Sequence, residues 1–443
     1  MFKKIFSLIL FFVVCKASAE VYRGVDYRKL SNDVSVIFLE TNWSDNVFVT
    51  VCLSTGKSDD VDKSGKAELV GNIFKKKLEK EINKNPQGFN VEMTSFVGNE
   101  QTLFSFYGKR IDLPSHIKCL SNHFYNLEIS EKELEEEKER ITSRFKQSMV
   151  PDKNKLREKS LQSLYWHNTL GRAFSINELK SISVKELEKF REQNYTNNRL
   201  TLIVSGYVKN KEEIIKTIED NFVNAKKSKI ERLQEPAHHD ATIFFDMRSS
   251  QVKLPCVEIY WKLPTYRGKQ SVYDNDEYFR KISPIALEIF LIYLKTELKK
   301  SLVDELKIAS NVDFDYSFWN YSEGNLRISI LLKEREYSEG IKTEILNEIM
   351  KLAYEVSENE LVMAQKELYK SANVFNYFTD VIDTMNWLSD KIGVGYDYEF
   401  LSKYRESVKN FKLETVKKEV VKFFRKEPDV ISVLNPEEKN NVI

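Results

Sequence analysis

Residues 129–149, ISEKELEEEKERITSRFKQSM, are nearly restated at residues 356–375 as VSENELVMAQKELYKSANVF, 227 positions later. In both copies a serine stands before a polar run whose first turn is acidic, the arrangement that caps and charges a helix N-terminus. A second pair follows in the same order. SVKELEKFREQNY, residues 183–195, leads into Leu200–Gly206, LTLIVSG, and LETVKKEVVKFF, residues 413–424, leads into Val430–Leu434, VISVL. Two matched pairs in the same order, a helix and then a helix followed by a strand, both offset by about 230 residues, read as a duplication. Between the copies, residues 226–240, KKSKIERLQEPAHHD, are charged, carry a proline and show no apolar periodicity. The expectation is an α+β fold of two tandem homologous domains, 21–228 and 241–443, joined by a linker over 229–240. Each is expected to pack a mainly antiparallel sheet against long helices.

Composition fits two full-sized cores. The chain has 443 residues, of which 42% are hydrophobic and 12% aromatic, so it does not read as a disordered protein. Its 68 Lys+Arg and 67 Asp+Glu leave a net charge of +1, with no basic excess to draw it onto nucleic acid. Only 14 residues are glycine, and neither GxxxxGK[ST] nor GxGxxG occurs. The first residues read as an address. Lys3 and Lys4 precede an apolar run from Ile5 to Val14, and Ala17-Ser18-Ala19 is a small-x-small cleavage site. Residues 1–19 are therefore expected to be a signal peptide, Glu20 the mature N-terminus, and the protein exported and periplasmic, with no membrane segment after cleavage.

Cleavage would leave Cys52, Cys119 and Cys256, none in a CxxC pair. Cys52 lies in the alternating run VFVTVCL and reads as a buried strand cysteine. Of the histidines, His116, His123, His167, His238 and His239, none stands three or four residues from another. His238 and His239 read as part of a solvated connector, and His167 as a packing or hydrogen-bonding residue. Lys75–Lys77 and Glu135–Glu137 read as solvated helix faces rather than binding patches. No GxSxG marks a serine nucleophile.

The segment that bears on chemistry is Cys52–Ile82, CLSTGKSDDVDKSGKAELVGNIFKKKLEKEI. A strand ends near Ser54, a polar turn follows, and Ser64-Gly65 opens a helix with Ala67, Val70, Ile73, Phe74 and Leu78 on one face. This arrangement resembles the pitrilysin/insulinase-type zinc peptidases, which include the mitochondrial processing peptidase and bacterial relatives. GFNVEMTSFVGNEQTLFSF (88–106), FREQNYTNNRLTLIVSGYV (190–208) and SLVDELKIASNVDFDYSFWNYSEGNLRISI (301–330) are similar to further landmarks of that family, in the family's order. The resemblance implies a half-clamshell of two peptidase-like domains.

It also locates a loss. In the family's H-x-x-E-H motif, two histidines one helical turn apart bind zinc and the glutamate serves as general base. Those histidines map to Glu68 and Asn72, and the base to Gly71. The third ligand, a glutamate on the later helix, maps to Arg144, which cannot ligate zinc. The Arg and Tyr with which the non-catalytic partner of two-subunit relatives holds substrate map to Val303 and Ser310. No catalytic residue, metal or cofactor is therefore expected. What the resemblance implies is an inactive subunit, paired with a zinc-bearing paralogue and acting on peptide or protein substrates. Two other readings stay open: a stand-alone envelope peptide-binding or scaffold protein, and a metallopeptidase with unrecognised ligands.

Overall fold

The computed structural model describes residues 24–40, 46–84, 91, 93–166, 169–208, 210–223, 228, 241–266, 282–320, 323–333, 337–371 and 381–437. The expected signal peptide and the linker over 229–240 lie outside them, as do His167, His238 and His239.

The first sheet comprises β1 (Gly24–Lys29), β2 (Ser35–Glu40), β3 (Asn46–Leu53), β4 (Met93–Val97), β5 (Thr102–Lys109) and β6 (Leu200–Gly206), in the order β1-β2-β6-β3-β5-β4. The second comprises β7 (Ile243–Ser249), β8 (Cys256–Leu263), β9 (Ala309–Ser317), β10 (Gly324–Leu332) and β11 (Val430–Pro436), in the order β7-β11-β8-β10-β9. Remove β1, and one order maps onto the other strand for strand. The single parallel pair also recurs in place, β2 with β6 and β7 with β11, while every other pairing is antiparallel. The repeat seen in the sequence is thus a repeat of topology.

The first half carries helices α1 (Lys66–Ile82), α2 (Leu113–Asn126), α3 (Glu131–Ser148), α4 (Asp152–Leu164), α5 (Ile176–Ser181), α6 (Val184–Asn194) and α7 (Lys211–Asn221). The second carries α8 (Pro284–Lys300), α9 (Glu339–Glu355), α10 (Glu358–Ser371), α11 (Val381–Val394), α12 (Tyr398–Lys409) and α13 (Val416–Phe424). The duplicated serines cap as their sequence implies. Ser130 and Ser183 each accept an N–H from the glutamate three residues on, whose carboxylate returns to the serine, and Ser357 pairs likewise with Glu360. Among the described residues no helix is long and apolar enough to cross a membrane.

The halves exchange helices. Helix α4, from the first half, lies on β7, β8 and β11 of the second sheet, with Leu156 against Cys256 and Leu434, and Ser160 bonded to Ser432 at 2.8 Å. Helix α11, from the second half, lies on β3, β5 and β6. There Met385, Leu388 and Ile392 join Ile37, Leu39, Cys52 and Ile203 in one continuous core. Across the same junction Gln101 donates to Asp390 at 2.8 Å, and Ser54 to the Ile392 carbonyl at 3.3 Å. Each sheet therefore has, among the described residues, one apolar face onto which the other half lays a helix.

Candidate functional site

The turn after β3 is held from several sides. At Gly56 a Cβ would lie 2.6 Å from the Asn99 carbonyl oxygen, so only glycine lets the turn approach the β4–β5 connection. Ser58 donates to that same carbonyl at 2.5 Å. Asp60 then folds back over the start of α1, accepting from the N–H groups of Gly65 at 2.7 Å and Ala67 at 2.8 Å. It supplies the cap that Gly65, at φ +106°, has no side chain to give. Burial pushes the Asp60 carboxyl up to about 7, outweighing the two N–H donors that favour its charge. Arg172 ties down the loop, donating to the carbonyls of Asp60, Val61 and Asp62 and to the Glu178 carboxylate.

Helix α1 carries the mapped positions into contact with α3. Glu68, Asn72 and Lys76 fall one turn apart on its α3-facing stripe. Glu68 is ion-paired with Arg144, and Lys57 approaches its other oxygen at 3.9 Å. Farther along, Lys76 meets Glu137 at 2.7 Å and Lys77 meets Glu133 at 3.0 Å. Two of the four mapped positions, 76 residues apart in sequence, therefore bond directly to each other. Asn72 lies between the ion pairs, its amide nitrogen buried without a hydrogen-bond partner. Gly71 faces β4 and β5. A Cβ there would be 2.8 Å from Val97 Cγ2 and 3.5 Å from Thr102 Cγ2.

One sequence expectation needs correction here. Glu135 and Glu136 are exposed as a solvated face requires, but Glu137 is fully buried, holding Lys76 and Arg140. The acidic run wraps around α3, and its third member turns inward against α1, where a carboxylate needs cations.

A cavity of about 80 Å³ opens beside the pair, lined in part by Lys57, Ser64, Glu68, Asn99 and Arg172. Asn99, Leu170 and Arg172 also border a neighbouring cleft of about 330 Å³ that runs along α4 past Arg157 and Glu158. Partial burial, then the charge of Arg144, push the Lys57 ammonium below its ordinary value.

These residues do not suit a zinc ion. The only carboxylate among the mapped positions already carries a guanidinium, position 71 has no side chain, and Asn72 offers a neutral amide. Among the described residues, no group of three or more His, Cys, Asp and Glu is placed to hold a metal ion. His116 is buried edge-on to Phe106, and His123 bonds the Cys119 carbonyl one turn back on α2. Cys52 and Cys256 are buried thiols, and Cys119 is half-buried. Val303 packs, from the wide turn Ser301–Glu305, on the continuous core that joins the halves, while Ser310 donates to the Leu331 carbonyl at 3.1 Å. Sequence reasoning missed Lys57 and Arg172. A cation in the turn after β3 was a visible signal for Lys57, whereas Arg172 reaches the loop from 110 residues away.

Residues 181–368 match the family model described as Peptidase M16 inactive domain. The mitochondrial-processing peptidase subunit beta of Dictyostelium discoideum is 22% identical over 213 residues, 46% of this chain and 45% of that protein. The chain thus matches less than half the length of that curated relative. A protease from Helicobacter pylori superposes with a TM-score of 0.76 at 15% identity, covering 94% of this chain and 100% of that one. The chain resembles the pitrilysin/insulinase-type peptidases over part of its sequence and in its fold. The first half of the periplasmic protease PqqL from Escherichia coli also superposes, with a TM-score of 0.72 at 13% identity, over 93% of this chain and 92% of that one. The two-sheet architecture is accordingly that of a pitrilysin/insulinase-like half-clamshell. The span matched by the inactive-domain model begins after Arg144, so the state of the mapped metal positions is read from their own residues.

Proposed function

We propose that this pitrilysin/insulinase-like chain is an exported, periplasmic pseudo-peptidase, the non-catalytic subunit of a heterodimer with a zinc-bearing paralogue. The observation that carries the reading is the Glu68–Arg144 ion pair, formed by residues at two of the positions that the family uses for zinc. In this reading residues 21–228 form a peptidase-like domain with a degenerate metal motif, and residues 241–443 a second such domain. Relatives named as a subunit and as half of a larger protease support an incomplete shell that a facing subunit closes. The chain would contribute walls and a strand edge. Strand β4 ends its sheet beside Gly71 and offers an unpaired edge, among the described residues, to an extended peptide.

The test is to mix the mature protein with a paralogue bearing an intact HxxEH motif, then follow size-exclusion with light scattering and peptide cleavage. A 1:1 complex with cleavage well above that of the paralogue alone is expected. An enclosing contact should exceed the ~1,600 Å² of a standard pair. A monomer that leaves the paralogue's activity unchanged, or one tightly bound zinc per chain with chelator-sensitive cleavage by this chain alone, would overturn the proposal.

A further inference from the structure

Loss of catalysis needs only one ligand to change. Here the first and third ligand positions have changed together into a complementary acid and base that meet. Their pair also completes a series along the antiparallel α1–α3 contact, after Lys77–Glu133 and Lys76–Glu137. Its polarity is the reverse of the other two: the acid is on α1 and the cation on α3. The flanking residues fit the same arrangement. Gly71 lets Val97 of the edge strand close onto the helix, and the Glu68 side chain, only 12% exposed, faces Lys57 as well as Arg144.

We propose that Arg144 is a protein-borne replacement for the metal ion, a fixed cation that clamps α3 to α1 through Glu68 and bars divalent cations from the cleft. The inference rests on the reading of these positions as a lost metal site, but it needs no partner and no activity to be tested. A metal bridging two helices is a cross-link that depends on metal supply and can be stripped by a chelator. A guanidinium is charged at every physiological pH, and its planar donors match a carboxylate. The cleft beside β4 would then keep its shape whatever the metal content of the compartment. A single change should also invert its preference. With Arg144→Glu, the cleft would hold two carboxylates and the Asn72 amide oxygen, an oxygen-rich set that favours a divalent cation.

The experiment is thermal unfolding of the full mature chain with EDTA, with zinc sulfate and with manganese chloride. The variants are Glu68→Gln, Arg144→Gln, the two combined, and Arg144→Glu. Each single neutral variant should lower the melting temperature by about 1–4 °C, and the double variant no further than the worse single, because the interaction is lost only once. The wild type should melt at the same temperature under all three conditions, while Arg144→Glu should gain at least about 2 °C from a divalent ion present far above its Kd. Additive losses in the glutamine series would overturn the clamp, and those variants keep it testable should Arg144→Glu fail to fold. Stabilisation of the wild type by either metal would overturn the exclusion of cations. The heterodimer could fail to form with the clamp intact, so the two proposals fail separately.

Discussion

Gly71→Glu, which would put a glutamate at the position mapped to the family's general base, should destabilise the protein. A Cβ at position 71 falls 2.8 Å from Val97 Cγ2. Carbon atoms pack best at about 3.5–4.0 Å, so the overlap is roughly 0.7 Å or more before the rest of the side chain is added. Two effects compete. Replacing a glycine within a helix gains about 1 kcal/mol of propensity, whereas overpacking costs about 1–3 kcal/mol. For Gly71→Ala these nearly cancel, because Val97 is only partly buried on an edge strand that can give a few tenths of an ångström. Glutamate adds a carboxylate pressed toward Val97, Thr102 and Tyr195, none of which is a cation. Loss of about 2–4 kcal/mol is expected, by the same overpacking and by burial of an unpaired charge. Equilibrium unfolding in urea, followed by tryptophan fluorescence, is the assay. Gly71→Ala should unfold within about 1 kcal/mol of the wild type, and Val97→Ala should restore about half of the loss in Gly71→Glu. A Gly71→Glu variant with an unchanged midpoint would refute the reasoning, since β4 would then have room for the family's base.

Asp60 should give stability a pH slope. Its folded pKa of about 7 lies above the ordinary carboxylate value, so unfolding releases a proton between about pH 4 and 7, and stability falls as pH rises through that window. Asp60→Asn should flatten the decline in melting temperature between pH 4.5 and 7.5, and an unaltered slope would assign it to other groups. The exchanged helices predict that neither half folds alone. Residues 24–228 and residues 241–443, expressed separately, should bind a hydrophobic dye and lack a cooperative thermal transition, because α4 and α11 would each leave an apolar sheet face bare. Mixed, the halves should recover the transition; a sharp melt from either half by itself would count against the interlocked core.

Much of this architecture is local chemistry written twice. Ser130 with Glu133, Ser183 with Glu186 and Ser357 with Glu360 cap helices through contacts three residues long, so their sequence spacing alone announced the helices and the duplication. The apolar stripe of α1 from Ala67 to Leu78 and the alternation of β3 were legible for the same reason, since helix and strand periods impose them residue by residue. The sequence also determined which residues occupy the mapped positions, and hence that no histidine or glutamate base stands in the motif. It did not show what those residues do instead. That Glu68 bonds Arg144, that Glu137 turns inward to Lys76, and that Val97 closes onto Gly71 depend on α3 and β4 being laid against α1. Nor did it show that α4 and α11 change sides. Amphipathic periodicity marks a face to be buried, yet it carries no address for the surface that buries it, and only the packed chain, by bringing distant segments within ångströms, decides which apolar face and which charge each one meets.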